Sequence, residues 1–359
     1  MTDSFHFNGT MLCLWLAACG PAVPRESIPV AETPPAQRAV SPEPQEEWVP
    51  PPGPSIAGFG LVFHEEGGEW TGQIVIAPWG DVVAIGRGRA RLLARDTGRV
   101  LVEAEACSPS SPDAAAFIDQ RRMLVGCDDR VEEVFFPEGS KRTRFQFPQR
   151  MRQVTINGRW LVAGTDHFWN RDHHRVSIYD VNTFKLVDEF DASGEIEAVA
   201  ISSDGKRAAA GTDGKGIDVR DVAAKRTQTF LADSGQRHSL VRFSPSARAL
   251  FCDNASFEGG EIDTRTGKHL SSYKSGSWLK AVRYINETEM LATGSDGLVH
   301  YSGRGVSTPS PIGNLGEGLD LSADKSFFCA AGRDGNVTCF SKKKVLPSTF
   351  KPFTGSPTP

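Results

Sequence analysis

The chain has 359 residues, with 40 Lys and Arg set against 44 Asp and Glu, for a formal net charge of −4. That mild balance offers no basic field for nucleic acid, and no nucleic-acid partner is expected. With 39% hydrophobic and 23% charged residues the composition is globular, and 36 Gly and 23 Pro suit a protein of short strands and turns.

Residues Met11–Gly20, MLCLWLAACG, form an apolar stretch about nine residues long that ends in Leu16-Ala17-Ala18-Cys19. It is too short to span a bilayer and has the length of a signal-peptide core. The last four residues resemble the bacterial lipoprotein box. That resemblance implies a diacylglyceryl group on the Cys19 thiol and cleavage that leaves Cys19 as the new N-terminus. The first ten residues, MTDSFHFNGT, hold no Lys or Arg where such signals place positive charge. Gly20 stands where some Gram-negative sorting systems read an Asp for inner-membrane retention, so the resemblance favours the outer membrane within the cell envelope. No run of about 20 apolar residues follows, so no later segment is expected to cross as a helix.

From Pro21 to Ser55, 11 of 35 residues are Pro. Such chain is extended and solvated and builds no core; at about 3.1 Å per residue it reaches on the order of 100 Å. Residues 1–19 are therefore read as signal, 20–55 as a disordered linker, 56–353 as a folded head and 354–359 as a disordered tail.

The head is repetitive. A Gly-x-Asp-Gly turn occurs as GTDG at Gly211, GSDG at Gly294 and GRDG at Gly332, with weaker copies at Gly164 (GTDH), Gly126 (GCDD), Gly86 (GRGR) and Phe251 (FCDN). These seven turns lie about 40 residues apart, the period of a four-stranded propeller blade. Apolar runs such as RAAAG, MLATG and WLVAG precede the turn, and alternating segments such as GIDVRD and VSIYD follow it. Alternating segments bounded by Gly, Asp and Asn turns are strands and hairpins.

The frame, in VRFSPSARAL and AAAGTDGKGIDVRD above all, resembles WD40-repeat-like β-propellers over about residues 74–341. No repeat ends in Trp-Asp; Tyr179-Asp180 and Arg220-Asp221 come nearest. The expected fold is all-β: seven blades of four antiparallel strands, at about 74–107, 115–148, 153–191, 196–232, 239–274, 280–312 and 317–352. A wheel with unjoined ends leaves sheet edges open. GFGLVF around Phe59 is the preferred closing strand, and LPSTFKPF in the tail is its rival.

Five cysteines follow Cys19, and export would place them where disulfides form. If the GRDG turn is a three-residue loop with a Gly bulge, Cys329 faces Cys339. Cys107 ends one blade and Cys127 precedes the next blade's turn, which sets both near one rim. The alternative for all five is a small buried apolar residue. No C-x-x-C occurs, so no zinc or redox motif is indicated.

Chemistry is sparsely represented. The third blade's turn carries Asp166, His167, Asp172, His173 and His174 around Phe168 and Trp169. These are metal-ligand types, but the spacing is that of a polar hairpin tip with packing aromatics, and no metal is expected. There is no G-x-S-x-G elbow and no phosphate loop, so no catalytic residue and no cofactor are expected. In the WD40-like frame the Gly-x-Asp-Gly turns share a face with the inter-blade connections. That face gathers Trp70, Phe168, Trp169, Arg237, His238, Phe257 and Trp278, residue types that dominate protein hot spots. The expected function is a monomeric, membrane-anchored scaffold for a protein or peptide partner. The competing readings are a cytoplasmic adaptor of the same fold and an exported propeller enzyme with its site at the axis.

Overall fold

A computed structural model describes residues 55–65, 71–107, 114–148, 150–165, 174–232, 235–253, 258–274, 278–295, 297–302, 306–309, 315–332 and 334–347. Among them every regular element is a strand, and no helix is long and apolar enough to cross a membrane. The strands form seven antiparallel sheets, of which six have four strands in chain order. Their innermost strands are Gln73–Ile76, Ala114–Phe117, Met151–Asn157, Ile196–Ile201, Val241–Phe243, Leu279–Tyr284 and Gly318–Leu321, and neighbouring blades pack against one another around a closed ring. The fold is a seven-bladed β-propeller.

Blade 4 shows why these residues make these strands. Its inner strand Ile196–Ile201 is buried at every position, and its second strand Arg207–Thr212 is buried at all but the first. Strands covered on both faces read as continuous apolar runs, which is the origin of AVAI and RAAAG. The outer strand, Arg226–Phe230, reaches solvent and carries Arg, Thr and Gln. Between the first two strands, Ser202 Oγ donates to Asp204 at 2.7 Å and Gly205 takes φ 70°. The Asp of each near-Trp-Asp pair closes a later turn: Asp180 Oδ1 accepts from the Asn182 and Thr183 amides, and Asp221 Oδ1 from Ala224.

The first Gly of the recurring turn marks the contact between blades. A Cβ on Gly126 would lie 2.8 Å from Val154 Cγ1, and one on Gly164 would lie 2.8 Å from Ile196 Cγ2, each on the next blade's inner strand. Side chains there would hold neighbouring blades apart.

Closure comes from the N-terminal side. Phe59–Glu65 pairs with Val337–Ser341 in register Gly60↔Ser341 and Leu61↔Phe340, supplying the outer strand of blade 7. A further strand, Ser55–Ile56, folds back through a two-residue loop in which Ala57 and Gly58 have φ 53° and 76°. Two positive φ values are what a tight hairpin matching strand twist requires. The last blade is thus not the continuous 317–352 segment of the sequence reading. Its other three strands end at Ser341, and residues 342–347 carry no strand.

Two disulfides are present among the described residues. Cys107–Cys127, with Cα atoms 5.7 Å apart, ties the end of blade 1 to blade 2. Cys329–Cys339, with Cα atoms 4.1 Å apart, bridges a directly opposed pair in blade 7 beside the Gly332 turn. Cys252 is buried as a free thiol, and burial pushes its pKa up to about 12, so it packs as an apolar residue.

Candidate partner-binding face

Because strands alternate in direction, turns between second and third strands share one face of the wheel with the inter-blade connections. On blade 4 these two kinds of loop are interlocked. The Asp213 amide donates to Glu195 O at 2.9 Å, the Gly214 amide to Gln236 O at 3.1 Å and the His238 amide to Thr212 O at 3.2 Å. The GTDG turn is therefore held by the connections on both sides of it. Beneath it, buried Asp218 accepts from the Ser193 amide at 2.6 Å and from the Thr229 hydroxyl at 2.5 Å.

Charge is organised across blades 3 to 5. Arg152 Nη2 lies 2.6 Å from Glu197 and its Nη1 pairs with Glu195, while Arg237 pairs with the other Glu197 oxygen. Glu197 is buried. Carboxylate oxygens of Glu195, Glu197 and Asp213 come within 4.8 Å of one another. Two guanidiniums interleave with these three acids, so the group reads as an ion-pair lattice that fixes the rim.

Of the residues singled out in the sequence for partner contact, three are described. Arg237 keeps a side chain 46% exposed while paired to Glu197. Trp278, in the connection to blade 6, is 53% exposed and the only exposed aromatic among the described residues. His238 is buried at 2% exposure and so faces inward, where its Nδ1 lies 2.6 Å from Asp253 O. Asp253 in turn accepts from Ser239 Oγ at 2.8 Å and the Leu240 amide at 2.7 Å, which fixes the connection. Trp70, Phe168, Trp169 and Phe257 lie outside the described residues, as do Cys19, His167 and His173.

His238 and Asp253 respond to pH in opposite senses. Burial lowers the His238 pKa below its ordinary 6.5, so its contribution is present above that value and lost as pH falls through the folded pKa. Burial pushes Asp253 up to about 6, so its ionisation costs stability as pH rises from the ordinary carboxylate range to 6. Replacing His238 by Gln is expected to flatten the loss of melting temperature just below pH 6.5. Parallel curves for variant and wild type would remove His238 from the acid response.

The sequence reading passed over a second constellation. VRFS at Val241 and VRYI at Val282 each set an Arg between apolar residues, 41 positions apart, on inner strands of adjacent blades. The blade period alone aligns Arg242 with Arg283 at the axis.

No protein-family model matches the chain, and no curated protein is significantly similar to it in sequence. Its fold is found among solved structures. A chain of the crystal structure of the mitotic checkpoint complex superposes with a TM-score of 0.63 at 17% identity, covering 79% of this chain and 96% of that one. At that identity the likeness is one of fold alone.

Proposed function

We propose that this chain is an extracytoplasmic lipoprotein. In this reading its WD40-like propeller, tethered through Cys19 and a Pro-rich spacer, binds a protein partner and performs no catalysis of its own. The observation that carries the binding reading is Trp278, a 53% exposed aromatic on the face where loops converge, with the Arg237 ion-pair lattice on the neighbouring connection. Burying one such ring removes a large apolar area from water, and Trp and Arg are enriched where truncation costs most. Two disulfides in one head support export, because thiols are kept reduced in the cytosol.

Intact mass of membrane-extracted protein tests the anchor. A mature species beginning at Cys19 with added diacylglyceryl mass is expected, together with its loss in Cys19→Ala. A soluble chain with its N-terminus intact would overturn the anchor and the envelope location together. For the face, Trp278→Ala is expected to weaken partner capture from envelope extracts by tenfold or more, on the scale of a hot-spot loss of about 2 kcal/mol. Unchanged capture would move the interface elsewhere.

A further inference from the structure

The axis of the wheel holds a charge arrangement that the scaffold reading does not use. On three adjacent inner strands the alternation Val241-Arg242-Phe243, Val282-Arg283-Tyr284 and Leu319-Asp320-Leu321 buries the apolar flanks and leaves the central residue partly accessible. Arg283 Nε donates to Asp320 Oδ1 at 3.1 Å and Arg283 Nη1 to Val282 O at 3.0 Å. The other Asp320 oxygen accepts from the Ile76 amide at 2.9 Å, so both of its oxygens are engaged.

The Arg242 side chain has no such partner: among the described residues its guanidinium makes neither hydrogen bond nor ion pair. The nearby Arg283 charge, then burial, hold its pKa down at about 9. Two guanidiniums thus share one carboxylate. Desolvated like charges are costly unless an anion joins them.

Both arginines line two chambers along the axis. One, of 190 Å³, runs toward the inter-blade connections and is polar, with Gln73, Gln153 and Thr155. The other, of 840 Å³, opens on the opposite face, among the turns that link first to second strands. Its walls include Val75, Trp79, Phe117 and Ile156, and Arg242, Arg283 and Asp320 also border it. A concave apolar chamber of some 300–1,000 Å³ with a few convergent polar groups is the general form of a small-ligand site.

We propose that this chamber binds an organic carboxylate, its anionic head between Arg242 and Arg283 and its apolar body against Trp79, Phe117 and Ile156. A guanidinium presents paired N–H donors that match the two oxygens of a carboxylate. Arg242 has all of its donors to offer. The chamber is also bordered by Arg95, Asp324, Lys343 and Lys344; it is the apolar wall of Val75, Trp79, Phe117 and Ile156 that favours a carboxylate with a hydrophobic body over a bare oxyanion. The site opens on the face opposite Trp278, so it stands or falls independently of the partner-binding reading.

The test is calorimetry and thermal melting of the full chain with 3-phenylpropionate, its uncharged amide 3-phenylpropionamide, and inorganic phosphate. The acid is expected to bind and raise the melting temperature, as any ligand of the folded state alone does. The amide should bind at least tenfold more weakly, phosphate more weakly than the acid, and Arg242→Gln should cost tenfold or more in acid affinity. Arg283→Gln should do the same. Because that change also frees Asp320, the conclusion rests on Arg242→Gln, which without ligand should melt no lower than wild type.

An acetylated dipeptide with a free C-terminal carboxylate, compared with its amidated form, separates the two sources of such a group. Binding tighter than the free acid assigns the chamber to a carboxylate on a polypeptide, and weaker binding assigns it to a small organic acid. Equal binding of acid and amide, stronger binding of phosphate, no binding at millimolar acid, or unchanged binding by Arg242→Gln would each overturn the proposal. So would a lower melting temperature for Arg242→Gln alone, which would make Arg242 a structural residue.

Discussion

Phe59→Ala is expected to lower the unfolding free energy by about 3–5 kcal/mol, the usual cost of removing a large buried aromatic. Phe59 is 0% exposed and lies on the strand that closes the wheel. Its ring meets Phe328 edge to face at 4.9 Å, and Phe328 stacks on Phe340 at 4.8 Å. Lys342 Nζ sits 4.4 Å from the centre of the Phe59 ring. Truncation therefore leaves a cavity and also loosens the strand that, among the described residues, joins the two ends of the fold. The entropic cost of joining residues so far apart rises only as the logarithm of loop length, so packing at this one strand can sustain closure. Urea unfolding measures the loss as a lower midpoint at constant slope. Val187→Ala, on an outer strand and 42% exposed, should stay within about 0.5 kcal/mol and serves as the control. Removing residues 1–66 should go further. Val337–Ser341 would then present an unpaired edge, and the protein should self-associate on gel filtration. A monomeric, normally stable truncation would show that the tail, and not Phe59–Glu65, closes the wheel.

The blade count could be read from the sequence because each blade repeats one turn, whose last Gly takes a positive φ in blade 4 and whose first Gly sits against the next blade. The closing strand was visible as GFGLVF for a related reason: a strand outside the repeat must pair with an open edge. Ser55–Ile56 was less visible, since two residues give no periodicity and its hairpin uses Ala57, not the usual Asn, at a positive φ. His238 was misplaced by a face argument. Sequence shows that a residue belongs to a connection, but the inward turn of its side chain depends on hydrogen bonds to Asp253, which lies 15 residues further on. Arg242 and Arg283 were missed because an inner strand reads as apolar alternation, and one charged residue within it looks like an exception. Only superposing the repeats shows that two adjacent blades make the same exception, in the same position.

The two glycines of the GTDG turn are expected to fail for different reasons, and substituting each separates them. Gly214 has φ 69° and open space where a Cβ would go. Asn tolerates that conformation, so Gly214→Asn should cost less than about 1 kcal/mol. Gly211 is not at positive φ, yet a Cβ there would stand 2.4 Å from His238 O and 3.1 Å from Val241 Cγ1. The first of these is main chain of the connection to blade 5 and cannot swing aside. Gly211→Val should therefore cost at least the 1–3 kcal/mol typical of overpacking, since the neighbouring connection itself must move. It should also disturb the His238 and Thr212 hydrogen bond and, with it, the register of Arg237 against Glu197. The measurement is thermal or urea unfolding of both variants beside wild type. A larger loss for Gly214→Asn than for Gly211→Val would mean that turn conformation, and not the approach of the next blade, selects the first glycine. The expected order ties the repeat to assembly: a motif found as a turn signal is placed by the contact that one blade makes with the next.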